Sequence, residues 1–246
     1  MDPELDDRIA FVTGASSGIG RATATRLAAA GAHVALASRR EDRLDALADE
    51  IHAEHGREAL VVPTDVTDPE QVRAAMTEAA ETFGGIDVVV ANAGLGVDKD
   101  VESLSIEEYE LMTDVNVNGM FYTAKAALPH LKASSGNLVF LGSFSGQHPR
   151  PYNPVYAATK WWTRGFALSL EGAVGDEGVA VSVVNPTEVR TEFGSETDDP
   201  LKDRFDPGEV TEPEEVAEAI AFMAAQRPPN TVSELNLYRR DKFSHF

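Results

Sequence analysis

The chain has 246 residues and no cysteine, which suits one α/β domain and excludes disulfides, thiolate metal sites and cysteine nucleophiles. Acidic residues outnumber basic residues by 41 to 21, for a formal net charge of −20. This charge disfavours nucleic acid and anionic membranes as partners, and no apolar run reaches the roughly 18 residues of a membrane span. The N-terminal sequence MDPELDDR lacks the basic and apolar regions of a signal peptide, so we expect a cytoplasmic protein.

The acidic excess has two interpretations. One is an ordinary acidic cytosolic protein. The other is a halophilic protein from a high-salt cytoplasm, where salt screens the repulsion among surface charges. Lysine is scarce while aspartate and glutamate are abundant, which favours the halophilic interpretation.

Apolar, β-branched runs alternate with helical stretches through nearly the whole chain. The runs predict strands at 9–14, 33–38, 58–66, 86–94, 137–143, 179–186 and 233–238. The stretches between them predict helices at 21–31, 41–56, 68–85, 105–131, 154–173 and 212–225. Continuous apolar strands between helices predict a parallel sheet covered on both faces. We therefore predict one α/β domain over 1–246, a doubly wound sheet of about seven strands.

The segment TGASSGIG at 13–20 joins the first strand to the first helix. Its glycines permit a tight turn in which backbone amides at the helix N-terminus face a pyrophosphate. Such turns also occur without ligands, but the strand before and the helix after favour nucleotide binding. The residues expected to contact the nucleotide are Gly14, Ser16, Ser17, Gly18, Ile19 and Gly20.

The end of the second strand is expected to contact the adenosine ribose. An acidic residue there would bind the 2′-hydroxyl and favour NAD, but the chain has Ser38 followed by Arg39 and Arg40. The planar fork of arginine suits a 2′-phosphate. The alternative is a solvated arginine pair, although a positive charge at a helix start gains nothing from the helix dipole. We predict NADP (NADPH) in preference to NAD, and Arg39→Asp should lower NADPH affinity far more than NADH affinity.

The segment NPVYAATKWW at 153–162 places Tyr156 and Lys160 one helical turn apart. A tyrosine and a lysine at this spacing commonly lie on an ordinary helix surface. Alternatively, the tyrosine is an acid and the lysine is the cation that lowers its pKa. Together with TGASSGIG and with ANAG at 91–94, the pair makes nearly the whole chain resemble the short-chain dehydrogenase/reductase family. The resemblance implies a Rossmann fold, a nicotinamide cofactor, a small carbonyl or alcohol substrate, a homodimer or homotetramer, and no metal site.

The same resemblance assigns the catalytic roles. Asn116 resembles the asparagine that holds a proton-relay water, and Ser143 resembles the serine that orients the substrate. Tyr156 resembles the catalytic acid/base, and Lys160 resembles its partner. Positive charge on Lys160 and on an oxidised nicotinamide would lower the pKa of the phenol, so that it donates a proton in reduction. Taken singly, Asn116 is also compatible with a core amide and Ser143 with a strand-end cap.

Further cofactor and substrate residues follow from the family pattern. The matching cofactor positions are Asp65, Val66, Asn92, Ala93, Gly94, Tyr156, Lys160, Pro186, Val189 and Thr191. Thr187 stands where the pattern has glycine, so we expect the following loop to run differently. The substrate loop at about 187–211 is short and acidic, which favours a small substrate. The candidate substrate residues are Ser143, His148, Tyr152 and Phe193.

Two features suggest contacts beyond the site. Trp161 and Trp162 point about 100° apart on their helix, so one of them is expected at a subunit contact or in the core. The basic, aromatic tail at 237–246 is expected to dock on a neighbouring subunit or to fray. We predict an NADP(H)-dependent oxidoreductase. An NAD-dependent member of the family and a nucleotide-binding regulator without catalysis are the alternatives.

Overall fold

The computed structural model describes residues 5–194 and 200–244, and the strands in these ranges form one parallel sheet. Its strands are β1 (Ile9–Thr13), β2 (His33–Ser38), β3 (Ala59–Pro63), β4 (Val88–Ala91), β5 (Asn137–Leu141), β6 (Ala180–Pro186) and β7 (Glu234–Leu237). Their order across the sheet is β3-β2-β1-β4-β5-β6-β7. The predicted doubly wound parallel sheet is therefore confirmed.

Helices cover both faces of this sheet. Within the described residues they are α1 (Gly18–Ala29), α2 (Glu41–His55), α3 (Pro69–Phe83), α4 (Ile106–Thr113), α5 (Gly119–Ser134), α6 (Pro154–Val174), α7 (Leu201–Arg204) and α8 (Pro213–Ala224). None of them combines the length and the apolar character needed to cross a membrane.

The two largest parts of the core are apolar layers, one on each face of the sheet. All five residues of β1 are buried, and they alternate between the layers as the pleat of a strand requires. Ala10 and Val12 pack with α1, α2 and α8, whereas Ile9 and Phe11 pack with α3, α5 and α6. Burial on both faces explains why the strands are continuous apolar runs without polar alternation.

The topology places a crevice at the carboxyl ends of β1 and β4. The chain steps outward from β1 to β2 and β3, then returns to the other side of β1 with β4. Val12 pairs with Val90 across this junction. Ligands of open α/β sheets bind outside the strand ends at such a switch point.

The predicted long helix at 105–131 contains an interruption that the sequence pattern does not reveal. It begins with the predicted capping box, in which Ser105 N donates to Glu108 Oε2 at 2.9 Å and Glu108 N donates to Ser105 Oγ at 3.2 Å. A π-helical turn, Asp114–Asn118, separates α4 from α5. Turns of this kind are frequent at functional sites, and this one carries the buried Asn116.

The loop after β6 accommodates Thr187 without strain. Its backbone N–H donates to Leu237 O at 3.1 Å, and its hydroxyl accepts from Arg239 N at 3.4 Å. Among described non-glycine residues, positive φ angles occur only at Asp7 and Ser135, so Thr187 has no left-handed backbone. The pairing of β6 with β7 thus extends into the loop, and the substitution does not disrupt it. Residues 195–199 of the predicted substrate loop lie outside the described ranges.

The C-terminal tail contacts its own chain. The ring of Phe144 lies 5.2 Å from that of Tyr238 and 5.8 Å from that of Phe243. Lys242 forms a hydrogen-bonded ion pair with Glu188. Fraying is therefore wrong for the described part of the tail, because aromatic and charged groups fix it beside β6. Docking on a neighbouring subunit stays a prediction.

The two tryptophans have different surroundings, as their angular separation predicts. Trp162 stacks on Phe166 with ring centres 4.7 Å apart and packs against the core layer. Trp161 is 45% exposed. Core packing is thus the observed role of Trp162, whereas Trp161 faces outward.

Candidate active site

The glycine-rich turn packs so tightly at its glycines that Gly14 and Gly20 have no room for a side chain. Gly14 and Gly18 have φ angles of 67° and 53°, which favour glycine. A Cβ atom at Gly20 would lie 2.2 Å from the carbonyl oxygen of Gly14. The helix α1 can therefore start directly against β1, with its first amides open to the crevice.

Asn92 ties this turn to the end of β4. Its side-chain amide donates to Thr13 O at 2.8 Å, and its backbone N–H donates to the Thr13 hydroxyl at 2.9 Å. The same hydroxyl accepts from Ala93 N at 3.1 Å. Thr13 was not predicted as a site residue, and its place as the last residue of β1 is the signal that identifies it.

A cleft of about 280 Å³ runs along the turn and the neighbouring strand ends. Its described lining includes most of the predicted cofactor residues. They are Gly14, Ser16, Ser17, Gly18, Ile19, Gly20, Ser38, Arg39, Arg40, Asp65, Val66, Asn92, Ala93, Gly94 and Thr191. The structure therefore brings together residues from the ends of β1 to β4 and from the loop after β6.

Arg40 crosses the mouth of this cleft. Its Nε donates to Ser16 Oγ at 3.0 Å, and its NH2 donates to Ser17 Oγ at 2.6 Å. Its backbone N–H also donates to Ser38 Oγ at 3.2 Å. Arg39 lines the same cleft, but the guanidinium of Arg40 is the one fixed on the glycine-rich turn.

A carboxylate from the loop after β6 meets this arginine. Glu192 accepts from Arg43 NH1 at 2.8 Å and from Arg40 NH1 at 3.3 Å, and Lys202 Nζ lies 3.5 Å away. The hydrogen bond from Arg43 is the main cause that lowers the pKa of the Glu192 carboxyl below its usual range. Sequence reasoning missed Glu192, because nothing in an acidic loop distinguishes one glutamate from the others.

A second cavity, of about 300 Å³, adjoins the cleft and holds three of the four predicted catalytic residues. Ser143 follows β5, and Tyr156 and Lys160 lie on the first turns of α6. The Lys160 side chain is buried, and its ammonium donates to Leu141 O at 2.8 Å. The ammonium lies 5.9 Å from the centre of the Tyr156 ring. Residues predicted separately along the sequence therefore meet at one point.

Burial sets the ionisation of both groups. Burial raises the pKa of Tyr156 to about 12, and a hydrogen bond with Ser143 and the charge of Arg150 oppose this only in part. Burial also lowers the pKa of Lys160 to about 8. The Tyr156 phenol is therefore neutral near pH 7, and the groups that lower its pKa are Ser143 and Arg150. The predicted acidification by Lys160 together with an oxidised nicotinamide stays a prediction.

Asn116 joins the π-helical turn to the loop after β4. Its side-chain amide donates to Leu95 O at 2.8 Å and to Thr159 Oγ1 at 3.1 Å. Its Oδ1 accepts from Leu95 N at 2.9 Å. These bonds match the core-amide interpretation of the side chain, and they fix the loop that borders both cavities.

A polar network behind Ser143 was not predicted. Asn185 Oδ1 accepts from Ser143 N at 3.2 Å, and Asn185 Nδ2 donates to Glu234 Oε1 at 2.7 Å. Glu234 also accepts from Arg164 Nε at 2.6 Å. The network connects β6, β7 and α6, so it holds the backbone of Ser143 in place.

The structure separates the predicted substrate residues. Tyr152 and Phe193 line the second cavity, and the rings of Phe193 and Tyr156 lie 5.4 Å apart. His148 stacks on Phe144 at 4.2 Å in the neighbouring aromatic cluster and does not line the cavity. Pro186, Val189 and Thr191, which are predicted to contact the cofactor, also line this cavity. Its charged lining residues Asp98, Arg150, Glu188 and Arg204 were not predicted.

Comparisons with known proteins decide the family. The model of the short chain dehydrogenase family matches residues 8–202. The chain is a short-chain dehydrogenase/reductase. This oxidoreductase is 36% identical to an uncharacterized oxidoreductase of Staphylococcus aureus over 234 residues, which cover 95% of this chain and 97% of that protein.

Solved structures agree with this assignment. The dehydrogenase superposes with a TM-score of 0.86 and 36% identity on an alcohol dehydrogenase from the archaeon Thermococcus sibiricus complexed with 5-hydroxy-NADP. The match covers 94% of this chain and 95% of that one. A 3-ketoacyl-(acyl-carrier-protein) reductase from Brucella melitensis complexed with NADH gives a TM-score of 0.83 and 29% identity, over 94% and 97% of the two chains.

Proposed function

We propose that this enzyme transfers a hydride between a nicotinamide cofactor and a small carbonyl or alcohol substrate, with Tyr156 as acid/base. One observation carries the proposal: the cavity of Ser143, Tyr156 and Lys160 adjoins the glycine-rich cleft and shares lining residues with it. The residues that line both spaces are Ile19, Asn92, Gly94, Leu141, Thr191 and Phe193. A ligand that places its phosphates on the glycine-rich turn can therefore extend to the phenol.

The residues present fit a dinucleotide. Gly14 and Gly20 pack against protein atoms that leave no room for a Cβ, so the turn is tight and no side chain at these positions covers its backbone amides. Such amides can approach a pyrophosphate. When bound, the cofactor supplies or accepts the hydride, chemistry that no side chain of the cavity provides. The related structures contain 5-hydroxy-NADP in one case and NADH in another, which supports a nicotinamide group in this crevice.

Three side chains handle the proton and the developing charge. The neutral Tyr156 phenol is in the form that donates a proton to the substrate oxygen during reduction. Ser143 shares a hydrogen bond with this phenol and offers a second donor at the same oxygen. Lys160, fixed on Leu141 O at 2.8 Å, holds an amine or ammonium beside the reacting groups. A positive charge near Lys160, once the cofactor is bound, favours the phenolate that accepts a proton in the oxidative direction.

We further propose that NADP(H) is preferred, because of the guanidinium at the mouth of the cleft. Arg40 is held by the hydroxyls of Ser16 and Ser17, and the strand end carries Ser38 in place of an acid. A 2′-phosphate placed there gains charge-assisted hydrogen bonds from the guanidinium. NADH gains none of them.

Cofactor titrations test this preference. Dissociation constants for NADPH and NADH are measured by fluorescence for the native enzyme, Arg39→Asp, Arg40→Asp and the control Arg73→Asp, an exposed position on α3. The Arg40 variant should lose about 10- to 100-fold in NADPH affinity, the effect of a lost charged hydrogen bond, and little in NADH affinity. Equal losses for both cofactors would show that the arginines serve only structure.

Turnover tests the reaction itself. NADPH oxidation is followed with a panel of ketones and oxo acids, and product alcohols are identified by chromatography. A dehydrogenase consumes NADPH and ketone in equal amounts. A nucleotide-binding regulator on the same fold binds NADPH but leaves the whole panel unchanged.

A further inference from the structure

The substrate cavity contains an arginine that the proposed mechanism does not use. Arg150 lies between β5 and α6, and its side chain is only 13% exposed. Its guanidinium carbon lies 4.6 Å from the ring centre of Phe144 and 5.6 Å from that of Tyr152. Its charge also reaches Tyr156, whose pKa it lowers against the larger opposite effect of burial. The guanidinium is therefore held beside the group that meets the substrate.

The donors of this guanidinium are largely unused. Among described residues it makes one hydrogen bond, from Nε to Ser145 Oγ at a long 3.4 Å. The carboxylate of Glu188 is 3.9 Å from NH2, beyond hydrogen-bonding distance. A partly dehydrated cation with unused donors is unfavourable unless an acceptor reaches it. The cavity is the open side from which such an acceptor can come.

Lys242 explains why Glu188 leaves Arg150 available. The Lys242 ammonium, 8% exposed, forms a hydrogen-bonded ion pair with Glu188 Oε1. Burial alone would raise the pKa of Glu188, but the hydrogen bond and charge of Lys242 lower it below its usual range. Glu188 is therefore an anion hydrogen-bonded to Lys242, and its ion pair with Arg150 at 3.9 Å leaves the guanidinium without a hydrogen bond from that carboxylate.

We propose that Arg150 binds an anionic group of the substrate, and that the substrate is a small carbonyl or alcohol compound bearing one carboxylate. The planar guanidinium matches a carboxylate through two parallel hydrogen bonds. Asp98 and Glu188 line the same cavity, so a group with two negative charges, such as a phosphate ester, is disfavoured. A cavity of about 300 Å³ is at the small end of ligand sites. This inference rests on the proposed oxidoreductase function and specifies its substrate class.

Matched pairs of substrates test it on the native enzyme. The probes are 2-oxo, 3-oxo and 4-oxo acids, each compared with its own methyl ester, which keeps the carbonyl and removes the charge. We expect kcat/KM for at least one acid to exceed that of its ester by about 10- to 100-fold, the effect of a charge-assisted hydrogen-bond pair. Turnover of esters and acids at equal rates overturns the carboxylate assignment while the oxidoreductase function stands. No turnover of any probe overturns both.

Variants at Arg150 then locate the effect. Arg150→Gln and Arg150→Met should reduce the acid-to-ester ratio to near unity, whereas Arg150→Lys should retain part of it. The matched control is Arg73→Gln, which removes the same charge from an exposed pair on α3 and should leave the ratio at its native value. Thermal melting checks that each variant is folded. A folded Arg150→Met enzyme with the native ratio overturns the proposal.

Lys242 is a positioning residue in this proposal, and variants at Lys242 provide an independent test of it. In Lys242→Met the carboxylate of Glu188 is released and can pair with Arg150, so the acid-to-ester ratio should fall several-fold. Lys242→Arg should restore it. A purely structural role of the tail would lower the turnover of acid and ester together, so an unchanged ratio in Lys242→Met contradicts the role given to Lys242 and Glu188.

Discussion

The cofactor cleft and the substrate cavity are built in different ways. Around the glycine-rich turn the cleft is formed by backbone and small side chains, and a Cβ at Gly20 would already meet Gly14 O at 2.2 Å. The cavity beside it is lined by large charged and aromatic side chains, such as Arg150 and Tyr152. The first depends on how closely the backbone can approach a ligand, and the second depends on which functional groups face it. We therefore expect larger side chains at the glycine-rich turn to weaken cofactor binding, and changes of charge in the cavity to alter which substrate is preferred.

The largest effect is expected from one oxygen atom in the cavity. Tyr156→Phe removes the proposed proton donor and keeps the ring, so turnover should fall by about 10²- to 10⁴-fold, the contribution of a general acid. NADPH affinity should remain close to the native value, since the proposed phosphate site is the glycine-rich turn and not the phenol. The measurement is steady-state NADPH oxidation together with fluorescence titration. Residual activity above one tenth of the native rate would assign the proton to another group.

Adding one methyl group at Gly20 tests how the cleft binds the cofactor. Gly20→Ala places its Cβ against Gly14 O and Asn92 Nδ2, both within 2.5 Å, so the turn must shift. We expect a loss of about 1–3 kcal/mol in the free energy of unfolding, as for overpacking elsewhere, and at least a 10-fold weaker NADPH affinity.

Gly165→Ala is the matched control, because a Cβ there meets no atom within 4 Å. In the middle of α6 it should stabilise the protein by about 0.5–1 kcal/mol and leave cofactor affinity at its native value. Urea unfolding and NADPH titration of both variants make the comparison. If Gly20→Ala binds NADPH like the native enzyme, cofactor affinity does not depend on close approach of the backbone at this turn.

The same contrast explains how much the sequence alone could predict. The order of elements, the capping box at Ser105 and the glycine-rich cleft depend on local patterns that a single chain displays. The π-helical turn at Asn116, the contact of Glu192 with Arg40, and the pairing of Lys242 with Glu188 depend on segments far apart in sequence. Nothing in the periodicity of α4 and α5 indicates one extra residue in a turn, and nothing in a basic tail or an acidic loop indicates which charges will meet.

The ionisation of Tyr156 and Lys160 could not be predicted from the sequence either. A tyrosine four residues before a lysine suggests mutual tuning, but the sign of each shift depends on burial. Burial raises the pKa of Tyr156 to about 12 and lowers that of Lys160 to about 8. The two pKa shifts change the free energy of unfolding in opposite directions as pH rises, which gives a third test.

The pH dependence of stability should reveal the buried lysine. Lys160 has a pKa of about 8 in the folded chain against an ordinary value of 10.5, so the unfolded chain binds more protons in this window. Stability therefore rises as pH increases from about 8 towards 10.5, by on the order of 2–3 kcal/mol relative to Lys160→Met. Tyr156 acts only above pH 10, where its raised pKa makes stability fall again.

Urea unfolding of the native enzyme and Lys160→Met, at fixed salt and at several pH values up to 10, measures this difference. Subtracting the two curves removes the titration of surface groups. A flat difference would mean that Lys160 keeps its ammonium form throughout, stabilised by more than its bond to Leu141 O.

The smallest predicted effect concerns Glu192, where a charged contact enters the cofactor cleft. Its carboxylate accepts from Arg43 NH1 at 2.8 Å and from Arg40 NH1 at 3.3 Å, and so occupies cations that a 2′-phosphate would use. All three side chains are partly exposed, so each pair contributes no more than about 1 kcal/mol. Glu192→Gln should strengthen NADPH binding by about 2- to 5-fold and leave NADH binding at its native value.

Fluorescence titration of both cofactors measures this change, with Glu50→Gln as the control, because it removes the same charge from the exposed pair with Arg21. Weaker NADPH binding in Glu192→Gln would mean that the carboxylate orders Arg40 for the phosphate and does not compete with it. Either sign locates Glu192 at the point where the loop after β6 meets the cleft. An effect on NADPH alone would show that cofactor choice, unlike cofactor binding itself, depends on replaceable charges, as the substrate cavity does.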